Sequence, residues 1–353
     1  MISRRSFIKT GFMGGVLSAA PRMLFAANHS IAAKPLIKPP ALHPGDTIGL
    51  VTPASPLFEA HQILIEASEK MKALGFKVKP GKNIFKKWGY LAGTIEERIA
   101  DLHDMFADDQ VKAIIAVRGG YGSAQLLPHL DYQLISAHPK ILVGYSDITS
   151  LIVGIHERTG LVTFHGPVAV STFTDYTKKY FLNTLGSTTA VGEIADAPYD
   201  ENLQTSNRVW TYRPGVVSGH LMGGNMTLLQ ATIGTPHEFD SDGAILFFED
   251  IGEEPYDLDR MLTHFKQAGK FDKCRGVFFD RMPDVKPADY KPAYNSTLSV
   301  EDVIDEIFKD FDFPVCLGLS IGHIKNKPTL PLGIRARLDA GKGRIALLEP
   351  AVT

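Results

Sequence analysis

Two cysteines, Cys274 and Cys316, stand in a chain of 353 residues. That is too few for a disulfide framework, and their spacing fits no metal motif. They read as two small buried hydrophobes rather than as a bridge. Charge of one sign is also lacking: 37 Lys+Arg against 39 Asp+Glu leave a net −2, which offers nucleic acid no polybasic face. No glycine loop runs on into GK[ST], and none has full G-x-G-x-x-G spacing, so phosphate-loop and dinucleotide readings are poor. Low-complexity tracts and internal repeats are absent. The apolar stretch near the start is broken by Lys9, Gly11, Gly14, Gly15 and Arg22, too short and polar to span a bilayer stably.

What remains is an ordinary globular composition, 44% hydrophobic and 22% charged, long enough for two domains. The opening "SRRSFIKTGFMGG" has the layout of a twin-arginine export signal, with a basic n-region and a modest apolar region. The expectation is a signal over residues 1–33, a protein exported already folded to the periplasm, and no stable membrane anchor after processing. Ala27 and Ala33 are alternative cleavage points.

From residue 46 short apolar runs alternate with helical periods. "EAHQILIEASEKMKALG" places Ile63, Ala67, Met71 and Leu74 on one helical face, and Gly75 stops it. "TIEERIADLHDMFAD" aligns Ile95, Ile99, Leu102 and Phe106 behind Thr94, with Glu97 completing a capping box. "VKAIIAV" and "KILVGY" are continuous apolar runs, as strands covered on both faces of a parallel sheet require. This alternation predicts an open wound α/β domain over residues 34–186. Residues 187–215 are polar and weakly periodic, and predict a connecting segment that carries some strand. A second domain occupies 216–353 and ends in the hairpin pattern "ARLDAGKGRIALLEP".

Three strand ends carry chemistry. In "VGYSDITSL", Ser146 follows an apolar run and a glycine-led turn and precedes a helix. That geometry can lift a hydroxyl toward substrate, with free helix N–H groups behind it. Ile148 stands where a G-x-S-x-G elbow has its second glycine, so Ser146 or Asp147 as a plain helix cap stays open. Glu249 follows four apolar residues in "ILFFED" and needs a partner there. The surrounding acids, Asp250, Glu253, Glu254, Asp257 and Asp259, read as a solvated turn rather than a metal site. His323 in "LGLSIGH" has the most site-like surroundings among the histidines, with His165 in "TFHGPV" second. A serine hydroxyl needs an imidazole to take its proton, and the imidazole needs a carboxylate to fix its tautomer. The order Ser146, Glu249, His323 supplies one of each. Upstream, the paired glycines of "VRGGYG" can form an anion-binding nest. Gly120 and Asp147 N–H groups are the oxyanion-hole candidates, and Arg118 suits a substrate carboxylate.

"VRGGYG", "GYSDIT", "HGP", "GGNMTLLQATIGTP", "LFFEDIGEEPYDLDRML" and "GLSIGH" with "LPLG" resemble, in order, the motif series of the LD-carboxypeptidases, the muramoyltetrapeptide carboxypeptidase family. The resemblance covers roughly residues 46–350. It implies an N-terminal wound α/β domain and a C-terminal β-rich α/β domain, with the active site in the cleft between them. It implies a Ser-His-Glu triad on Ser146, His323 and Glu249, with oxyanion amides near Gly120 and Asp147. The implied reaction removes the terminal D-alanine of murein tetrapeptides at an L,D-amide, without metal or cofactor. Arg118, Asn225 and Tyr256 are the candidate substrate-binding residues. The implied partners are a small peptide or muropeptide and, as an open expectation, a second copy in a homodimer. A related branch hydrolyses microcin-type peptidyl nucleotides; Trp210 and Tyr212 lie where a base-stacking pocket could form. Two rival readings are a periplasmic solute-binding protein, which also has two α/β lobes, and an α/β-hydrolase esterase, which shares the Ser, acid, His order.

Overall fold

The computed structural model describes residues 35–198, 208–287 and 297–353. The export-signal expectation for residues 1–33 lies outside the described residues. Among the described residues no helix is long and apolar enough to cross a membrane.

The first half is wound as its pattern predicts. Strand β1 (Thr47–Val51) leads to helix α1 (Ala60–Ala73), then β2 (Lys77–Pro80), α2 (Ile95–Ala107) and β3 (Val111–Ala116). A 3-10 turn (Ser123–His129), α3 (Tyr132–Ala137), β4 (Ile141–Gly144), α4 (Thr149–Thr159), β5 (Phe164–His165) and α5 (Asp175–Gly186) follow. Strands β2, β1, β3, β4 and β5 lie side by side and parallel. Every residue of β4 is buried, as helices on both faces of a sheet require. Thr94 and Glu97 form the reciprocal capping box at the head of α2. Gly75 takes a φ of 97° just past the end of α1, where only a residue without Cβ turns the chain at no steric cost.

The second half forms a mixed sheet. Strands β6 (Gly192–Glu193), β7 (Trp210–Arg213) and β8 (Val216–Asn225) precede α6 (Met226–Thr232), β9 (Ala244–Glu249), α7 (Pro255–Gln267), β10 (Gly276–Asp280), α8 (Val300–Phe308) and β11 (Val315–Leu319). After β12 (Leu330–Pro331), the chain ends in the antiparallel pair β13 (Arg335–Asp339) and β14 (Arg344–Leu347). The sheet order is β6-β14-β13-β8-β9-β10-β11-β7, with β8 to β11 parallel. The predicted connecting segment is thus more than a link: β6 and β7 cover the two edges of this sheet. Nor is the division along the chain clean, because β12 returns to pair with β5 in the first sheet. Cys274 and Cys316 are both free and buried.

The two sheets meet where α4 packs on the end of β8. The Asn225 amide donates to Thr149 Oγ1 at 3.1 Å. A β-carbon on Gly224 would lie 2.6 Å from Thr149 Cγ2, so the strand end needs glycine to come this close. This contact sets the carboxyl ends of β3 and β4 against the loop that follows β11.

Candidate active site

Ser146 opens a short 3-10 turn (Ser146–Ile148) between β4 and α4. Its φ is 60°, one of three positive values at non-glycine residues among those described. The left-handed region is unfavourable for a residue with a Cβ, and such conformations persist only where surroundings impose them. The plain-cap reading fails here. Tyr145 starts the 3-10 turn and Ile148 starts α4, neither with a capping bond from a side chain. Asp147 does not cap its own helix either: its carboxylate accepts from the amides of Gly122 and Ser123 at 3.1 and 2.9 Å. The serine turn is thereby tied to the glycine loop after β3. Burial pushes the Asp147 carboxyl up, against the pull of those two amides.

That loop closes over the serine. A β-carbon on Gly119 would sit 3.2 Å from Ser146 Cβ, 3.4 Å from its Oγ and 3.5 Å from the Asp147 nitrogen. Gly120 takes a φ of 122°, and a β-carbon there would lie 2.3 Å from Ser55 Oγ. The backbone of 119–120 therefore passes directly beside the hydroxyl, where N–H groups can meet a developing oxyanion. From behind, the loop is braced by Arg98, 2% exposed, which donates to the carbonyls of Pro53 and Gly122.

Glu249 ends β9 and is fully buried. Its Oε2 accepts from Nδ1 of His323 at 2.7 Å. A carboxylate can only accept here, so Nδ1 carries the proton and Nε2 is left as a base. Burial alone would lower the His323 pKa, but the hydrogen bond and charge of Glu249 outweigh it and the net direction is up. On Glu249 burial acts upward, and the His323 bond carries the carboxyl below its ordinary value. The His323 ring lies 4.9 Å from that of Tyr145, the residue before the serine.

Ser146 and His323 line one cavity of ≈ 440 Å³ together with Arg118, Gly119, Gly120 and Tyr145. Among the described residues no hydrogen bond joins Ser146 Oγ to His323. Arg118 donates to the Pro56 carbonyl at 3.3 Å and rests 5.3 Å above the Phe58 ring.

Neither Asn225 nor Tyr256, the two further candidate substrate contacts, lines this cavity. Asn225 is 3% exposed, and its side chain is engaged within the fold: Nδ2 donates to Asp250 and Oδ1 accepts from the Leu228 amide. Tyr256 lines a separate surface cavity along α7 with Asp259 and Arg260. The acidic turn is also less solvated than its composition predicts. Asp250 is buried and holds the start of α6 through the Thr227 amide and hydroxyl, while Glu254 and Asp257 cap α7. Among the described residues no cluster of three or more histidine, cysteine or acidic side chains could hold a metal ion. Trp210 and Tyr212 lie on β7; Trp210 lines another cavity with Arg208, whose guanidinium sits 4.8 Å over its ring.

Several residues of the site escaped sequence reasoning. A β-carbon on Gly119 would meet Ser146, whereas one on Gly120 would meet Ser55. Lys327 is 4% exposed, and its ammonium lies 4.7 Å over the Tyr145 ring. Burial drives its pKa down to about 8, partly offset by Glu249 and Asp280. Asp280 ends β10, beside Glu249 on the next parallel strand. "GVFFD" repeats the apolar-run-then-acid signature of "ILFFE", so a signal for Asp280 was present.

The chain matches the LD-carboxypeptidase N-terminal domain over residues 48–166 and the LD-carboxypeptidase C-terminal domain over residues 218–338. It is 39% identical over 324 residues to a Bacillus subtilis protein named "Probable murein peptide carboxypeptidase", covering 90% of this chain and 95% of that one. It is 31% identical to the murein tetrapeptide carboxypeptidase of Pseudomonas aeruginosa, covering 84% of this chain and 94% of that one. Among solved structures, the microcin C7 self-immunity protein MccF superposes with a TM-score of 0.78 at 28% identity, over 90% of this chain and 100% of that one.

Proposed function

From the premise that the chain belongs to the LD-carboxypeptidase family and is a serine-type carboxypeptidase, we propose that it removes the terminal D-alanine of murein tetrapeptides through Ser146, His323 and Glu249. One observation carries this reading. Ser146 is held at a φ of 60° in the same cavity as an imidazole whose Nδ1 is fixed by a buried carboxylate. A structural serine has no need of that arrangement.

In the proposed reaction, Nε2 of His323 takes the Ser146 proton as Oγ attacks the amide carbonyl between the L-centre and D-alanine. Glu249 stabilises the imidazolium that forms. The carbonyl oxygen becomes an oxyanion against the amides of Gly120 and Asp147. The imidazolium then protonates the leaving amine of D-alanine, and water repeats the sequence on the acyl-enzyme. Arg118 meets the free carboxylate of the substrate. The absence of a direct Ser146–His323 bond in the free protein is compatible with this, because catalytic hydrogen bonds often tighten only once substrate is bound.

The test is incubation of the purified protein with free and disaccharide-linked tetrapeptides, followed by mass measurement of the products. Loss of one D-alanine, abolished in Ser146→Ala, is the expected result. Release that persists in Ser146→Ala, or no release at all, rejects the reading. The basic and weakly apolar start of the sequence supports work on periplasmic murein; recovery of all the protein from the cytoplasmic fraction would reject that part.

The likeness to MccF favours a second reading, hydrolysis of a microcin-type peptidyl nucleotide. Against it, Trp210 and Arg208 line a cavity that shares no residue with the one holding Ser146. Comparing turnover of a peptidyl nucleotide with that of a tetrapeptide separates the two.

A further inference from the structure

Behind His323 lies a second carboxyl group that the proposed reaction does not use. Asp280 is fully buried at the end of β10. Its Oδ1 accepts from the Ile321 amide at 3.1 Å, and the carbonyl of the same Ile321 bonds Nε2 of His165 at 3.0 Å. Ile321, two residues before His323, is therefore held through both its N–H and its C=O by buried groups. One residue on, a β-carbon at Gly322 would lie 2.5 Å from Glu249 Oε2 and 2.6 Å from Asp280 Oδ2. The two carboxyl groups converge on the one backbone position that offers them no side chain.

Asp280 Oδ2 makes no hydrogen bond and is buried, as is Oε1 of Glu249. An unpaired buried carboxylate oxygen is costly, and carboxylates that share a site resist ionising together. Burial, and then the charge of Glu249, push the Asp280 pKa up to about 6. Lys327 beyond the loop faces both carboxyl groups, His323 and His165 face Glu249, and the backbone amides of Ile321, Arg281 and Gly322 pull the Asp280 pKa back down. A second negative charge beside Glu249 is best tolerated when His323 becomes an imidazolium.

We infer that Asp280 is a positioning residue for the His323–Glu249 pair: one carboxyl oxygen anchors the loop that carries His323, and the other sets the negative charge beside Glu249. The inference rests on the reading of Ser146, His323 and Glu249 given above, and it names a further residue on which their alignment depends.

The test compares Asp280→Asn and Asp280→Ala with the unaltered protein in two assays across pH. One follows D-alanine release; the other follows labelling of Ser146 by a fluorophosphonate, which needs no peptide substrate. Asp280→Asn keeps an acceptor for the Ile321 amide but loses the charge. Its kcat is expected to fall about tenfold with KM within about twofold, and the acidic limb of both rates to move down by about one pH unit. Asp280→Ala also loses the anchor and is expected to fall about 100-fold. An Asp280→Asn protein with the original kcat and the original acidic limb overturns the inference. If Asp280→Ala does not fold, Asp280→Asn still decides. If Ser146 labels with the expected limb but no D-alanine is released, the proposed substrate fails while the labelling limb still tests Asp280. If Ser146 is not labelled at all, the triad and this inference fall together.

Discussion

Gly144 and Ile148 compete for one space: a β-carbon on the glycine would lie 2.4 Å from Ile148 Cγ2 and 2.7 Å from its Cβ. Ile148 is fully buried and stands two residues after Ser146, where the better-known elbow has a glycine. Here the turn is tight on one side only. The glycine two before the serine lets the isoleucine two after it fold back over the strand end.

Gly144→Ala is therefore expected to destabilise the protein by about 1–3 kcal/mol through overpacking. The double variant Gly144→Ala, Ile148→Ala should recover part of that loss, because the clash partner is gone. Thermal unfolding of the two singles and the double forms the cycle. Strictly additive losses would show that the contact does not govern the turn.

Ser146 adds a second test of the turn. Its φ of 60° suits glycine better than any residue with a Cβ. Ser146→Ala keeps that conflict and Ser146→Gly relieves it, so the glycine variant should be the more stable by up to ~1 kcal/mol. Both should lose at least about 10³-fold in kcat. An alanine variant as stable as the glycine variant would mean that the backbone carries no strain at this position.

Arg118 lies on the Phe58 ring and uses one of its donors on the Pro56 carbonyl. The rest of its fork is available to a terminal carboxylate. A charge-assisted hydrogen bond is worth about 1.5–3 kcal/mol, so Arg118→Ala should raise KM about tenfold or more while kcat changes little. Arg118→Lys should recover only part, since an ammonium lacks the bidentate fork. Steady-state kinetics on a tetrapeptide decide it, and an unchanged KM discards the role.

Local pattern carried a good share of this architecture. The helices behind Glu59 and Thr94, the continuous apolar strands β3 and β4 and the terminal hairpin were all legible, because each depends on periodicity and caps within a few residues. Ser146, Glu249 and His323 were legible as candidates because each stands at or shortly beyond the end of an apolar strand. Their chain order says nothing of distance; the packing of α4 against β8 and the return of β12 to β5 bring the two halves together. The places of Asn225 and Tyr256 were hidden for the same reason. Position within a motif does not tell whether an amide spends its hydrogen bonds inside the fold or which side of a helix faces a cavity. Lys327 had no signature pointing at the site, and Asp280, though it ends an apolar run as Glu249 does, takes its meaning from contacts across long stretches of chain.

The pH dependence of the reaction gives the sharpest test of the His323–Glu249 pair. The base must be neutral to accept the Ser146 proton, so kcat/KM should fall as pH drops through the His323 pKa of the free protein. Burial would place that pKa below the ordinary 6.5, yet the bond to Glu249 reverses the sign and carries it above. The acidic limb of the unaltered protein is thus expected above 6.5. Glu249→Gln removes the hydrogen-bonded charge that opposes burial, and burial then outweighs the smaller pull of Asp250, so the limb should cross to the low side of that value. The same substitution removes the carboxylate that fixes the tautomer and stabilises the imidazolium, and kcat at its plateau should drop by roughly 10²–10⁴. Direct titration of the His323 ring by NMR gives the same two values without any turnover. If the limb and the ring signal stay where they were after Glu249→Gln, the carboxylate does not control the imidazole, and the relay from Ser146 through His323 loses its third member.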